Sequence, residues 1–373
     1  GMLRPRFSLW LFLLWLCVQG EPPPAVNLTL EDAARRAAGI VVETPVPTAP
    51  TTVLVTAATY GYARFLRNWL CSANALGLRY LVVALDRTLY KHLSADVRVA
   101  ALADPRSPAF PRLGPGGTLG SYDVRAEGTE RAHEWRRGAF NAISCGKLEA
   151  VGRILRAGLD VIFVDADAVL LRAPFEMIPR SPVVQYAYQV NFHGMEAPAP
   201  QCNEVGTIPE EGNTGVYWVR SAPAMIRWFA DLTPAECQRQ PHLDDQTVFW
   251  QLFPRLQLPP RSDCGREPAT PVCRLSVCLT PCGFVQFRPT AAQTREWLRN
   301  VSSPWRVPLL VHPNYLMGGA AKEQVLKSLG LWLADPWDVT QCSRASLQLW
   351  GRLWDVRTYG RVHVRRHVPG TGI

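Results

Sequence analysis

Short apolar runs alternate along this chain with longer stretches in which apolar residues return every three or four positions. Val53 to Thr56 is a β-branched run, Tyr62 to Ala75 has the spacing of an amphipathic helix, and Tyr80 to Leu85 is a second buried strand. Asp96 to Leu102 reads as a third strand, and the Pro- and Gly-rich residues 104–120 as loop. A helix is predicted over Ala139 to Ala157, closed by Gly158 as a C-cap, with the strongly apolar strand Val161 to Val164 directly after it. Val183 to Tyr188 and Val216 to Val219 are strand-like, whereas Pro223 to Ala230 and Gln246 to Leu252 are helix-like. Leu309 to His312 is a late strand, followed by a helix around Lys322 to Leu329; the Trp-rich last forty residues match no element. Strands this continuously apolar, alternating with helices, predict an α/β domain around a mostly parallel sheet. In such sheets ligands bind beyond the carboxyl ends of the strands.

The N-terminus carries a different pattern. Arg4 and Arg6 precede an apolar run from Phe7 to Val18, shorter than the roughly 20 residues of a comfortable membrane span. It has the size of a signal-peptide core, with Val18 and Gly20 resembling a cleavage site; a short uncleaved signal anchor over residues 1–20 is the alternative. Either sends the rest of the chain into the secretory lumen, and the Golgi lumen is the expected location. Residues 21–50, rich in Pro, Ala and Thr, read as a stem, residues 51–335 as the folded domain, and 336–373 as a C-terminal extension. Two glycosylation acceptor sequences, Asn27-Leu28-Thr29 and Asn300-Val301-Ser302, agree with lumenal exposure.

Of the ten cysteines, Cys17 lies in the leader, and the nine that remain are odd in number, so at least one is free or intermolecular. Cys264, Cys273, Cys278 and Cys282 cluster in a polar, Pro-containing segment and predict at least one disulfide. The competing zinc site lacks a paired Cys-x-x-Cys. Cys71, in an apolar helical pattern, reads as a buried thiol.

Composition adds little to the fold but narrows the partners. With 47% hydrophobic and 19% charged residues the chain is not of a disordered type. Its net charge of +9 fits an anionic partner, whether nucleic acid, an acidic membrane surface or a phosphorylated small molecule. The densest basic run, Arg361, Arg365 and Arg366, has no interleaved aromatics, so a nucleic-acid partner is not expected.

Four segments carry candidate chemistry. Asp165 and Asp167 emerge at the end of the strongest strand, and on extended chain a spacing of two puts both carboxylates on one face. Like charges this close need a counter-charge, and hard oxygen ligands suit manganese or magnesium, which could neutralise a leaving diphosphate. A polar turn capping the strand is the plainer reading. Asp244, Asp245 and Gln246 open a helix; one Asp serves as an N-cap, and two exceed that need. Gly212-Asn213-Thr214-Gly215 enters a strand, either as a simple turn or as an amide and exposed backbone gripping a sugar hydroxyl. His312, at a strand end, is either structural or a metal ligand; Gly318, Gly319 and Lys322 follow, a combination that admits phosphate.

The order of these pieces resembles glycosyltransferase family 77, the nucleotide-diphospho-sugar transferase domain of plant and algal xylosyl- and arabinosyltransferases. The resemblance runs from Thr51 to Gly330: the opening Val53 to Tyr62 with Phe65 to Cys71, the Asp-x-Asp element through Pro174-Phe175, the Asn-Thr-Gly strand from Asn213, Asp245-Gln246, and His312 through Lys322. It implies a Rossmann-like, glycosyltransferase A-type domain with retaining chemistry, acting between a nucleotide-sugar donor and a glycan or glycoprotein acceptor. By that resemblance Asp165, Asp167 and His312 would hold the ion, and Thr59 and Tyr62 would lie near the base. Lys147 would lie near the ribose or sugar, with Asn213 and Gly215 also on the donor, Gly318 and Lys322 at the phosphates, and Asp245 and Gln246 facing the anomeric centre. Leu316 and Met317 depart from the family's spacing, and the loop from Cys264 to Cys282 has no family counterpart, reading as an acceptor-side insertion. Two other functions compete: a haloacid-dehalogenase-type phosphatase with Asp165 as nucleophile and Asp167 as general acid, and a lumenal sugar-binding protein without turnover.

Overall fold

Eight strands form one mixed sheet in the order β3-β2-β1-β4-β7-β6-β9-β8. They are β1 (Thr51–Ala58), β2 (Leu81–Ala84), β3 (Leu102–Ala103), β4 (Leu159–Val164), β6 (Tyr186–Val190), β7 (Gly212–Val219), β8 (Ser262–Asp263) and β9 (Val272–Arg274). The computed structural model describes residues 29–39, 51–94, 102–103, 140–190, 212–259, 262–264, 270–276, 280, 308–314, 316, 318–335 and 341–354. The leader, the asparagines of both glycosylation sequences, the loop expected over 104–120, Cys202, Cys278, Cys282 and the basic run from Arg361 lie outside these residues. Only the β4–β7 and β6–β7 pairings are antiparallel; the other five are parallel, as the continuously apolar strands predict.

Helices cover both faces. Along β1, Leu54 joins the core that holds Trp69 and Leu70 of α2 (Ala63–Ala75), while Val53 and Val55 join the opposite core with Leu148, Val151 and Ile154 of α4 (Phe140–Arg156). The short α3 (Arg87–Ser94) follows β2. The chain leaves β1 toward β2 on one side and returns on the other at β4, so the carboxyl ends of β1 and β4 border the crevice where a ligand is expected in an open α/β sheet. Gly158 ends α4 at φ +83°, in the left-handed conformation that the C-cap reading requires.

Inside the segment read as a stem, Leu30–Ala37 is a helix, α1. Thr29 caps it by accepting from the backbone N–H of Asp32, and Leu30, Ala33, Ala34 and Ala37 form one buried stripe in the same core as α4. Arg153 of α4 pairs with Glu31 at 2.6 Å. The Ala-rich composition that reads as a linker thus supplies small side chains for close helix packing.

Two other expectations change. The helix from Pro223 is α5 (Pro223–Ile226), a π-helical turn over Arg227–Leu232 and α6 (Thr233–Arg239), with the Thr233 hydroxyl donating to the Trp228 carbonyl at 2.7 Å. Cys71 is no thiol: it is disulfide-bonded to Cys342, 271 positions away, and this draws the C-terminal segment onto α2. Asn68, one turn earlier, donates to the Leu331 carbonyl at 3.0 Å and accepts from the N–H groups of Leu333 and Ala334. Residues 341–354, part of the expected extension, form α9 (Arg344–Trp354) and bury Trp350 in the main core. Cys264–Cys273 supplies the bond expected within the cysteine cluster, and Cys145–Cys237 joins α4 to α6. Replacing Cys71 and Cys342 together with Ala is expected to lower stability by about 2–4 kcal/mol, since the bond closes a very long loop in the unfolded chain. Denaturant titration checks this, and an unchanged midpoint would show that the clamp is redundant. No helix among the described residues is long and apolar enough to cross a membrane.

Candidate active site

Beyond Val164 the backbone stays tied to the sheet for one more residue, because Asp165 N–H donates to the Gly215 carbonyl of β7 at 2.6 Å. The chain then turns, with Ala168 N–H donating to the Asp165 carbonyl, and enters β5 (Val169–Leu170). β5 pairs antiparallel with β10 (Leu310–Val311), Val169 opposite Val311, and this two-stranded ladder delivers His312 to the two aspartates. His312 Nε2 lies 3.3 Å from Asp167 Oδ1 and 3.9 Å from Asp165 Oδ2. Asp167 and His312 side chains are 6% and 3% exposed against 26% for Asp165, so the group opens to solvent on the Asp165 side.

Two lysines enclose it. Lys147 of α4 reaches Asp165 at 3.3 Å and Asp245 at 3.1 Å. Lys322, in the first turn of α8 (Gly319–Ser328), pairs with Asp167. Burial alone would lower Lys147, but Asp165 and Asp245 outweigh it and its pKa is raised. Lys322 is raised in the same way, chiefly by Asp167 against burial. Burial would lift Asp167, yet Lys322 holds it well below the usual carboxylate range. Burial pushes Asp165 up; Lys147 opposes the rise and Asp167 adds to it.

The adjacent aspartates at the start of α7 (Asp245–Gln251) divide the work. Asp244 is the N-cap, accepting from Thr247 N–H at 3.0 Å, while Asp245 is buried against Lys147 and the Thr214 hydroxyl, 2.8 Å away. Gln246 Oε1 accepts from Thr214 N–H at 3.4 Å. Asn213 uses its side-chain oxygen on Gly215 N–H, at 2.6 Å. Gly215 has no room for a side chain: a Cβ there would stand 2.2 Å from Asp165 Oδ2 and 2.7 Å from His312 Cε1. Tyr62, raised first by burial, lies within the electrostatic reach of Lys322, Asp167, Asp165 and Lys147. Thr59 is buried just past β1, its carbonyl accepting from Tyr62 N–H. Gly318 supplies the left-handed turn, φ +81°, from which α8 starts.

Asp165, Asp167 and His312 could hold a metal ion, since one ligand atom from each lies within 4.8 Å of the others. The donor set fits a divalent cation. Asp167 Oδ1 is buried without a hydrogen bond, and three electron-pair donors face one another there. Two residues absent from the sequence-level candidates complete the surroundings. Thr214 holds both Asp245 and Gln246, and it sits inside the Gly-Asn-Thr-Gly motif. Gln189 contacts the His312 ring, and its signal is a polar residue in an otherwise apolar strand.

Residues 77–326 match the family of nucleotide-diphospho-sugar transferases, over more than half of the chain. The chain belongs to that family. This transferase is 23% identical over 299 residues to the UDP-D-xylose:L-fucose alpha-1,3-D-xylosyltransferase MGP4 of Arabidopsis thaliana, a match covering 76% of this chain and 71% of the relative. Among solved structures, the glycosyltransferase GlyE of Streptococcus pneumoniae TIGR4 superposes with a TM-score of 0.42 at 12% identity, covering 83% of this chain and 65% of GlyE. The galactosyltransferase LgtC, in complex with donor and acceptor sugar analogues, superposes at 0.38 and 13% identity, covering 81% and 95%. Family membership makes this transferase a nucleotide-sugar glycosyltransferase and removes the phosphatase reading in which Asp165 is a nucleophile. Its three disulfides among the described residues are those of a chain that matures in an oxidising, secretory compartment.

The tight contact at Gly215 gives a direct test of the geometry. Gly215→Ala is expected to push Asp165 and His312 apart and to lower donor turnover by about a hundredfold, the usual effect of an ångström-scale misplacement. A folded Gly215→Ala protein with wild-type turnover would mean that the two side chains need not be held together.

Proposed function

We propose that this transferase moves a pentose from a uridine diphosphate donor to a glycan or glycoprotein acceptor, with retention at the anomeric carbon, as a lumenal Golgi enzyme of glycosyltransferase family 77. The observation that carries the reading is the convergence of Asp165, Asp167 and His312 between Lys147 and Lys322, at the carboxyl end of β4. Support for the donor comes from the plant relatives, whose names specify UDP-xylose.

Asp165, Asp167 and His312 would hold manganese or magnesium. When bound, that ion supplies positive charge to the departing diphosphate, where negative charge grows in the transition state. Lys322, at the start of α8, adds charge on the phosphate side, next to the turn at Gly318. Tyr62 and Thr59, past β1, border the base. Asp245 and Gln246, held by Thr214, face the anomeric centre, and Lys147 between Asp245 and Asp165 neutralises both while it orients the sugar with Asn213 and Gly215. An N-terminal anchor or cleaved signal delivers the domain to the lumen, and a gain in gel mobility after glycosidase treatment of protein from its native host checks that placement.

The test is a screen of sugar nucleotides with manganese, reading released nucleoside diphosphate. UDP-xylose or another pentose donor is expected to give release that a chelator abolishes. Sugar binding without release from any donor would favour the non-catalytic alternative.

A further inference from the structure

Gln189 is fully buried at the end of β6, in a strand otherwise made of Tyr, Ala and Val. Strand alternation sets it on the face of Ala187, which lies in the core shared with Leu310 and Val311 of β10. The register between β6 and β7 also breaks at this residue: Tyr188 faces Tyr217, but Gln189 faces Asn213. The intervening Thr214, Gly215 and Val216 of β7 are thereby given over to Asp245, Asp165 and β4, and Gln189 is aimed into the site.

Both ends of a buried amide need partners. Gln189 Nε2 lies 2.7 Å from the Thr280 carbonyl and its Oε1 lies 2.9 Å from His312 Nδ1. The first contact decides the second. A carbonyl only accepts, so the NH2 end of Gln189 must face Thr280; its own oxygen then faces the imidazole, and that contact is a hydrogen bond only with the hydrogen on Nδ1. We propose that Gln189 is a positioning residue that holds His312 with its hydrogen on Nδ1 and its Nε2 electron pair presented to Asp165 and Asp167. The pair is thereby kept available to a cation, and Gln189 tunes how tightly the group binds one. This consequence rests on the ion-holding reading of Asp165, Asp167 and His312 given above. Ligating histidines ordinarily donate their second ring N–H to a fixed acceptor, and loss of that acceptor weakens metal binding about 10–100-fold. Here the acceptor is tied to Thr280, so this residue and the proposed metal site share one hydrogen-bonded chain.

The experiment uses the full chain labelled with 15N-histidine, with the His312 signals assigned by their loss in His312→Gln. In the metal-free wild type, nitrogen shifts are expected to show Nδ1 protonated. In Gln189→Met, which keeps the volume but removes both polar atoms, that preference should disappear. The manganese Kd in the presence of UDP, read from the electron paramagnetic resonance of free manganese, should weaken about tenfold. Gln189→Glu keeps an acceptor for Nδ1 and is expected to retain most of the manganese affinity, although its carboxylate faces the Thr280 carbonyl and lowers the melting temperature further. A merely structural role predicts the reverse order, with Gln189→Glu the worse binder. An unprotonated Nδ1 in the wild type, or an unchanged tautomer and Kd in folded Gln189→Met, would overturn the proposal. A wild type that shows the tautomer and its loss in Gln189→Met, yet binds no manganese, supports the positioning role and sinks the ion-holding reading alone.

Discussion

Asp167→Ala is expected to lower donor turnover about a hundredfold or more while the protein stays folded. The argument is electrostatic. Glycosyl transfer leaves a diphosphate whose charge grows toward the transition state, so a cation fixed by Asp167 stabilises that state more than the ground state. Of the three proposed ligands Asp167 would be the least replaceable, because its carboxyl is buried, held ionised by Lys322, and left with one oxygen free of hydrogen bonds. The effect on folding has two parts. Removing the carboxylate relieves its repulsion with Asp165 but leaves Lys322 without its partner. The two oppose each other, so the melting temperature should move little compared with turnover. His312→Ala should lose less activity and be partly restored by excess manganese. Turnover against manganese concentration, with thermal melting as the folding control, measures all of this. A folded Asp167→Ala protein with near-wild-type, chelator-resistant activity would remove the main support for the proposed metal site.

Lys147→Met is expected to lower stability by about 3–5 kcal/mol in the absence of metal and donor. Lys147 bridges Asp165 and Asp245 from a buried position, and removal of the shared cation leaves two carboxylates facing each other out of water. Asp165 softens the loss, because its raised pKa lets it take up a proton more readily than an ordinary aspartate. The sign with pH follows from the raised pKa of Lys147: the stability it lends is complete below the unfolded lysine value and is lost only as pH rises through the folded one, so at neutral pH the whole contribution is present. Manganese with UDP should recover more of the melting temperature in Lys147→Met than in the wild type, since a bound cation also neutralises Asp165. Equal melting of the two proteins without metal would show that water, not Lys147, balances the carboxylates.

Most of the framework is legible along the chain because it depends on local spacing. The continuous apolar strands at β1, β2 and β4 announce a sheet covered on both faces, and the helices α2 and α4 announce themselves by amphipathic period and, for α4, by the glycine that ends it. Asp165 and Asp167 are readable because they follow the most apolar strand directly. Helix α1 is harder to see, since its buried stripe is mostly alanine and resembles linker composition. Cys71 reads as a thiol because its partner is so distant in sequence. The apolar residues from Val183 predict an earlier start for β6 than Tyr186, where the strand begins, and Val183 is left 46% exposed.

By itself the sequence determined which side chains could carry chemistry and which elements bear them, because side-chain type and hydrophobic period are written into neighbouring residues. The tertiary structure decided which of those side chains meet. His312 reaches Asp167 only through the β5–β10 ladder, and Lys147 joins Asp165 to Asp245 only because α4 packs beside β4 and α7. Asp244 and Asp245, adjacent and identical in sequence, part into a helix cap and a site residue because one faces its own helix and the other faces β7. Gln189 acquires meaning only where a strand irregularity aims it at an imidazole from a different part of the chain. Contacts of this kind depend on the register and packing of segments far apart in sequence, which local pattern does not encode.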